Sequence, residues 1–365
     1  MKTKNAEKNN IEPSSVQQSL FDSFNPMDSV QRTDLIVDHP LMLPESGYIL
    51  PTASVKRTLT QVVSAVTSGL PGIAFVAFPR FGKTCATKYI SKALVSIFDD
   101  LLVLTFIAKY HSKQGELHFF KELLKAFNIG FPQGREIPNF FERLVNGLST
   151  RVITSHSKRI ILFIDEAQKL SVDQYSWLID LSNELGEKNV SLTVILFGQP
   201  QLISKREILL HSYRTDIVSR FMVEVKNFDG IRDDSELAEI LIFYDDQVIS
   251  EYPSNSGCAC SQFFLPKAYQ AGWRLATQST RLWKAFEAVA QDTGDKAISS
   301  GLNIGMTWIK IAVQNILISL MENDAASLKA DDVILKNAVE RSGFAESIGV
   351  LKTFEKNTDA RQNKY

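Results

Sequence analysis

Phe81-Gly82-Lys83-Thr84 sits inside the stretch IAFVAFPRFGKTCAT, Ile73 to Thr87, where an apolar run meets a Gly-Lys-Thr triplet. In the Walker A pattern G-x-x-x-x-G-K-[ST], backbone N–H groups cradle phosphates, the lysine reaches the outer ones and the hydroxyl holds Mg²⁺. Phe81, Gly82, Lys83, Thr84 and Cys85 are therefore the candidate phosphate-binding residues. Ala77 stands where the pattern has its first glycine. A glycine there frees the backbone for unusual angles and close approach to a ligand, so Ala77 bears on loop geometry and on the rate of turnover. A strand-turn-helix that merely contains Gly-Lys-Thr is the plainer reading of the same residues.

Further along, five apolar residues, Ile160 to Ile164, run into Asp165-Glu166, the form of a Walker B strand. Its aspartate would hold Mg²⁺, and its glutamate would orient and deprotonate an attacking water. An acidic pair capping a helix N-terminus looks the same, but with Lys83 and Thr84 upstream the nucleotide reading outweighs it. Leu192 to Phe197 ends in Gly198-Gln199-Pro200. Polar residues at the carboxyl ends of parallel strands line the ligand crevice, which places Gln199 to sense a γ-phosphate, unless it is only a turn amide. Arg214 and Arg220 precede the last expected strand. Either can act as an arginine finger or as a surface ion-pair residue, and the surface role is favoured for Arg214. Arg281, near the start of the helix opened by Ser279-Thr280, can reach back onto a nucleotide.

These residues need a scaffold. Thr52 and Ser54, followed by Val55, Leu59, Val62, Val63 and Val66, predict an amphipathic helix closed by Gly69 to Gly72. Helices are predicted over Lys83 to Ile97, Phe119 to Phe127 and Pro138 to Thr154, and through Trp177 to Leu185. Strands are predicted at Ile73 onward, Leu101 to Ala108, Arg159 to Ile164, Leu192 to Phe197 and Phe221 to Val225. Continuous apolar strands alternating with helices indicate a parallel sheet covered on both faces. After Asp229 only helices are predicted, over 235–249, 262–277, 281–291, 304–321 and 330–339. The chain thus divides into a disordered arm over 1–34, an α/β nucleotide-binding part over 35–228, a helical lid over 229–340 and a tail over 341–365.

The 365 residues are 44% apolar and 22% charged, with a formal charge of −1 and a pI near 6.6. That balance argues against coating nucleic acid by bulk charge. Three cysteines and the polar start MKTKNAEKNN suggest neither a disulfide framework nor a signal peptide, and no apolar run is long enough for a bilayer. A cytoplasmic setting without a membrane follows as the expectation. Cys258-Ala259-Cys260 lacks partners for a zinc site. His111, His118, His156 and His211 lack a nucleophile at triad spacing, and the Phe119, Phe120 and Phe127 set fits a helix core better than base stacking.

The order AFPRFGKT, ILFIDEAQKL, FGQP with Gln201-Leu202, SRF and a helical segment with STR resembles an AAA+ ATPase over roughly Pro51 to Val339. Within it, IDEAQ-x-L with a later GQP-x-L is similar to the transposition regulators TnsC and TniB and to the ExeA group. Two departures stand out: Ala77 for glycine, and Ser279 where glycine often precedes the lid arginine. The resemblance implies an α/β AAA+ P-loop fold with strand order 5-1-4-3-2 and a C-terminal all-helical lid, with ATP and Mg²⁺ as cofactors. It implies Lys83 on phosphates, Thr84 and Asp165 on Mg²⁺, Glu166 as base, Gln199 as first sensor, Arg220 as a finger acting in trans and Arg281 as second sensor. It further implies a homo-oligomeric ring or filament on duplex DNA that links target-selection proteins to a transposase. Lys109 and Lys113, in the loop after the second strand, would be the DNA phosphate contacts. An ExeA-like secretion ATPase, or a nucleotide-gated scaffold with little turnover, are the alternatives.

Overall fold

In the computed structural model, residues 35–43, 47–110, 115–134, 136–293 and 301–349 are described. The expected arm over 1–34, the end of the tail from 350 onward, His111 and Lys113 lie outside them. Thr52 caps α1 (Ala53–Thr67), its side chain accepting from the Val55 N–H. The elements that follow are β1 (Gly72–Val76), α2 (Lys83–Ile97), β2 (Leu101–Ile107), α3 (Glu116–Ala126), α4 (Ile137–Thr154), β3 (Arg159–Asp165), α5 (Val172–Glu187), β4 (Ser191–Gly198), α6 (Gln201–His211), α7 (Thr215–Phe221) and β5 (Val225–Asn227).

All strand pairings in the sheet are parallel, in the order β2-β3-β4-β1-β5. Read from the other edge, this is the expected 5-1-4-3-2. Alternate residues supply the two faces. Ile73, Phe75, Ile161, Phe163, Ile195 and Phe197 pack with α1 and α2, while Ala74, Val76, Ile160, Leu162, Ile164, Val194 and Leu196 pack with α3 to α7. Burial on both sides is why these strands read as unbroken apolar runs. β4 stands between the strand that feeds the Gly-Lys-Thr loop and the one that ends in Asp165, so its carboxyl end falls between the two.

The last strand is not where the sequence suggested. Phe221 ends α7 instead of opening a strand, because Ile217, Val218, Phe221 and Met222 are buried at helical spacing, and pairing with β1 begins only at Val225.

Beyond β5 come α8 (Asp234–Asp245), α9 (Cys260–Phe264), α10 (Pro266–Gln270), α11 (Ser279–Asp292), α12 (Met306–Met321) and α13 (Asp332–Glu340). The helix expected over 262–277 is broken. Pro266 cannot donate a backbone bond and disfavours helical angles at Leu265, which sits at φ −128° and ψ 60°. Cys258, just before α9, and Cys260, which opens it, are both buried in the core. Residues 35–43 and 47–50 pack with this helical cluster through Leu41, Leu50 and their neighbours. Lys56 and Arg57 of α1 pair with Glu239 and Glu236 of α8, each at 3.0 Å.

Candidate nucleotide-binding site

The loop between β1 and α2 is shaped by two left-handed positions, Arg80 at φ 69° and Gly82 at φ 97°. The second needs glycine. Ala77 is not such a position. It continues β1, its N–H donating to the Gly198 carbonyl at 3.0 Å, so a side chain there costs the loop nothing in backbone strain.

α2 begins at Lys83 with no side-chain cap. Among the described residues, the backbone N–H groups of Phe81, Gly82, Lys83, Thr84 and Cys85 have no acceptor. Unpaired donors at a helix N-terminus, with the positive end of the helix dipole behind them, form an anion site. The buried Lys83 ammonium folds over the loop, donating to the carbonyls of Phe78 at 3.2 Å and Ala77 at 3.3 Å. Burial lowers its pKa, against the pull of Glu166 and Asp165.

Thr84 donates its hydroxyl to Asp165 Oδ2 at 2.8 Å, which joins the Gly-Lys-Thr loop to the end of β3. The other oxygen, Oδ1, accepts from the Glu166 N–H at 2.8 Å. Glu166 is left-handed at φ 58°, a conformation that costs on the order of 1–3 kcal/mol for such a residue and that turns its carboxylate toward β4. There it accepts from Gln199 Nε2 at 3.2 Å, Gln168 Nε2 at 2.9 Å and Lys169 Nζ at 3.1 Å. Burial raises the Glu166 pKa, but the Lys169 contact, the Gln199 bond and the Lys83 charge outweigh it and hold the carboxyl below its ordinary value. Gln168 also accepts from the Gln199 N–H at 3.1 Å. Lys205 of α6 fastens this loop by donating to the carbonyls of Gln168 and Leu170.

Lys83, Thr84, Asp165, Glu166 and Gln199 are thus brought together. The arginines are not in that network. Arg214 pairs with Asp216 at 2.8 Å and with the Ser176 hydroxyl at 2.7 Å. Arg220, half-buried in the last turn of α7, has no side-chain partner among the described residues. Arg281 pairs with Asp332 at 2.6 Å and Gln278 at 3.0 Å, within the helical part. Lys109 is exposed beyond β2 and lies 3.9 Å from Glu122. The Gln168 and Lys169 contacts escaped sequence reasoning, since only the left-handed turn at Glu166 brings these residues back over its carboxylate.

Residues 69–205 match the model of the family described as an AAA domain. No curated protein matches the sequence. Among solved structures, the chain is similar to the ORC2 protein of Aeropyrum pernix in ADPNP-ADP complexes, at 12% identity over 79% of this chain and 66% of that one, with a TM-score of 0.48. It is also similar to Cdc6p of Pyrobaculum aerophilum, at 16% identity over 83% of each chain and a TM-score of 0.39. A third likeness is to Drosophila ORC bound to poly(dA/dT) DNA and Cdc6, at 13% identity over 88% of this chain and 45% of that one, with a TM-score of 0.43. The chain spans just under two thirds of the first of these and under half of the third. The α/β part has the AAA+ P-loop fold, as its strand order and its matched segment agree. No helix among the described residues is long and apolar enough to cross a membrane.

Proposed function

We propose that this protein binds and hydrolyses ATP between copies of itself and assembles on duplex DNA as a TnsC/TniB-like regulator of transposition. The observation that carries the ATP reading is the Thr84–Asp165 bond at 2.8 Å beside the unpaired donors of Phe81 to Cys85. The donors suit a polyphosphate, and the hard oxygens of Thr84 and Asp165 would hold Mg²⁺, which would supply charge neutralisation for phosphoryl transfer. Lys83 has carbonyls as its only loop partners and exchanges them for phosphate oxygens. Glu166 accepts the proton of the attacking water, while Gln199 and Gln168 fix its carboxylate. Arg220, with no side-chain partner among the described residues, reaches a neighbour's nucleotide. For Arg281 to act as second sensor it must leave Asp332.

Support for the transposition role is narrower and lies in the strings IDEAQ-x-L and GQP-x-L. In that role the α/β part over 35–228 and the lid over 229–340 enclose ATP. Lys109 and Lys113 track DNA phosphates, and the terminal segments meet transposase and target-selection proteins. A nucleotide-gated scaffold with little turnover is the second reading, and the grip of Lys169 on Glu166 favours it. Electron microscopy with duplex DNA, with and without a non-hydrolysable ATP analogue, tests assembly: ATP-dependent rings or filaments are expected, and their absence with the analogue contradicts the reading. Glu166→Gln separates enzyme from scaffold. It should retain ATP binding while phosphate release falls to background, whereas a wild-type protein that binds ATP without releasing phosphate is a scaffold.

A further inference from the structure

A segment of the helical part grips the Gly-Lys-Thr loop at Arg80 and Gly82. The Arg80 carbonyl accepts twice from Thr307, from its backbone N–H at 3.3 Å and from its hydroxyl at 3.1 Å. The Arg80 guanidinium lies over the Trp308 ring, 4.9 Å from its centroid, within cation–π range. Gly305 allows the approach, since a Cβ there would stand 3.0 Å from the Arg80 carbonyl oxygen. Met306 packs over Gly82, within 3.7 Å of where a Cβ on that glycine would sit. The segment is itself anchored, Ile304 pairing with Ile231 beside the end of β5 and the Gly230 N–H donating to Asn303 at 2.7 Å.

What the grip holds is strained. Arg80 has a Cβ and sits at φ 69°, a conformation that non-glycine residues keep only when their surroundings over-determine it. The peptide that follows is planar and trans, so its C=O and N–H point in opposite directions. With the Arg80 carbonyl tied to Thr307, the Phe81 N–H must face away from α12. That N–H is the first of the unpaired donors.

We propose that Thr307 and Trp308 are positioning residues for nucleotide binding: they fix the Arg80–Phe81 peptide so that the Phe81 N–H is presented to phosphate before ligand arrives. The inference rests on the reading of this loop as the ATP site. It also makes the start of α12 a point through which the helical part governs affinity, separate from any contact that Arg281 makes.

The test is a titration with a fluorescent ATP analogue and Mg²⁺, with folding verified by urea denaturation. Thr307→Val keeps the shape and loses the hydroxyl, and Kd should rise about tenfold, the scale of one lost hydrogen bond. Trp308→Leu should raise it by a similar factor. Thr307→Ser restores the donor and should stay within about twofold of wild type. Glycine takes left-handed angles freely, so in an Arg80→Gly background Thr307→Val should cost less than about threefold. Independently, the Phe81 amide resonance of the wild-type protein should shift on adding Mg²⁺ and ATP. Wild-type binding with Thr307→Val and Trp308→Leu unaffected overturns the positioning role, as does an equal loss in Thr307→Ser or an unmoved Phe81 resonance. Failure of the wild-type protein to bind the analogue at all removes the ATP reading and this inference with it.

Discussion

Arg214 precedes α7, Arg220 lies in its last turn, and the two meet different surroundings. Arg214 is spent on Asp216 and Ser176, whereas Arg220 has no side-chain partner among the described residues. Removing a finger that acts on a neighbour's nucleotide costs about 10³-fold in turnover and leaves binding by a single subunit nearly intact. Arg220→Ala should show that split in steady-state hydrolysis set beside nucleotide titration. Arg214→Ala should instead cost at most about 1 kcal/mol of stability, as exposed ion pairs do. The reverse pattern would assign the finger to Arg214. At this scale the sequence was legible for the residues that meet at strand ends: Lys83, Thr84, Asp165, Glu166 and Gln199. It was silent on what restrains them. The hold of Lys169 and Gln168 on Glu166 depends on one left-handed turn, and the tie from Thr307 to Arg80 joins residues far apart in the chain. Ala77 looked like a defect in the pattern, yet the left-handed positions of the loop are Arg80 and Gly82.

α5 shows how an element sets the site. Ser171 caps it, accepting from the Gln174 N–H at 3.2 Å, while the Ser171 N–H donates to Gln174 Oε1 at 2.9 Å. Tyr175, one turn in, donates its hydroxyl to the Ala167 carbonyl at 2.9 Å, so the helix start and the turn after Glu166 form one unit. Ser171→Ala should destabilise the fold by about 1 kcal/mol, measured by urea unfolding, and loosen the Glu166 turn with it; an unchanged midpoint would show that the cap contributes little. The sheet and its helices could be read from the sequence because strands buried on both faces are unbroken apolar runs and the helices show a single apolar stripe. Two places resisted. Around Phe221 a helix and a short strand share one apolar run, and in 262–277 the expected apolar periodicity continues through Pro266, which breaks the backbone but not the pattern.

Taken whole, the molecule ties its first described residues to its helical part, and His39 lies at that junction. It is fully buried among Tyr48, Tyr252, Phe263 and Phe264, and its Nδ1 accepts from the Leu41 N–H at 3.1 Å. Burial drives its pKa from 6.5 down to about 3. Between those values the unfolded chain binds a proton that the folded protein does not, so stability rises with pH across the window and is lost on acidification through it. Urea unfolding at successive pH values should show this slope from about pH 6.5 downward, and His39→Gln should flatten it even if the variant is weaker overall. An unchanged slope would place the acid sensitivity elsewhere. On DNA, the proposed assembly tracks phosphates through few cations per subunit, so its affinity should fall steeply between 50 and 200 mM salt, as phosphate-backbone binding does; salt-insensitive binding would contradict that contact mode.

The proposed turnover and assembly depend on the loop of Phe81 to Cys85 holding ATP. Calorimetric titration of the wild-type protein and of Lys83→Ala with ATP and Mg²⁺ tests it most directly. Saturable binding by wild type that weakens at least about tenfold in the variant, the scale of a lost charge-assisted contact, is the predicted result. Equal binding by the two proteins, or none by wild type, would contradict the account.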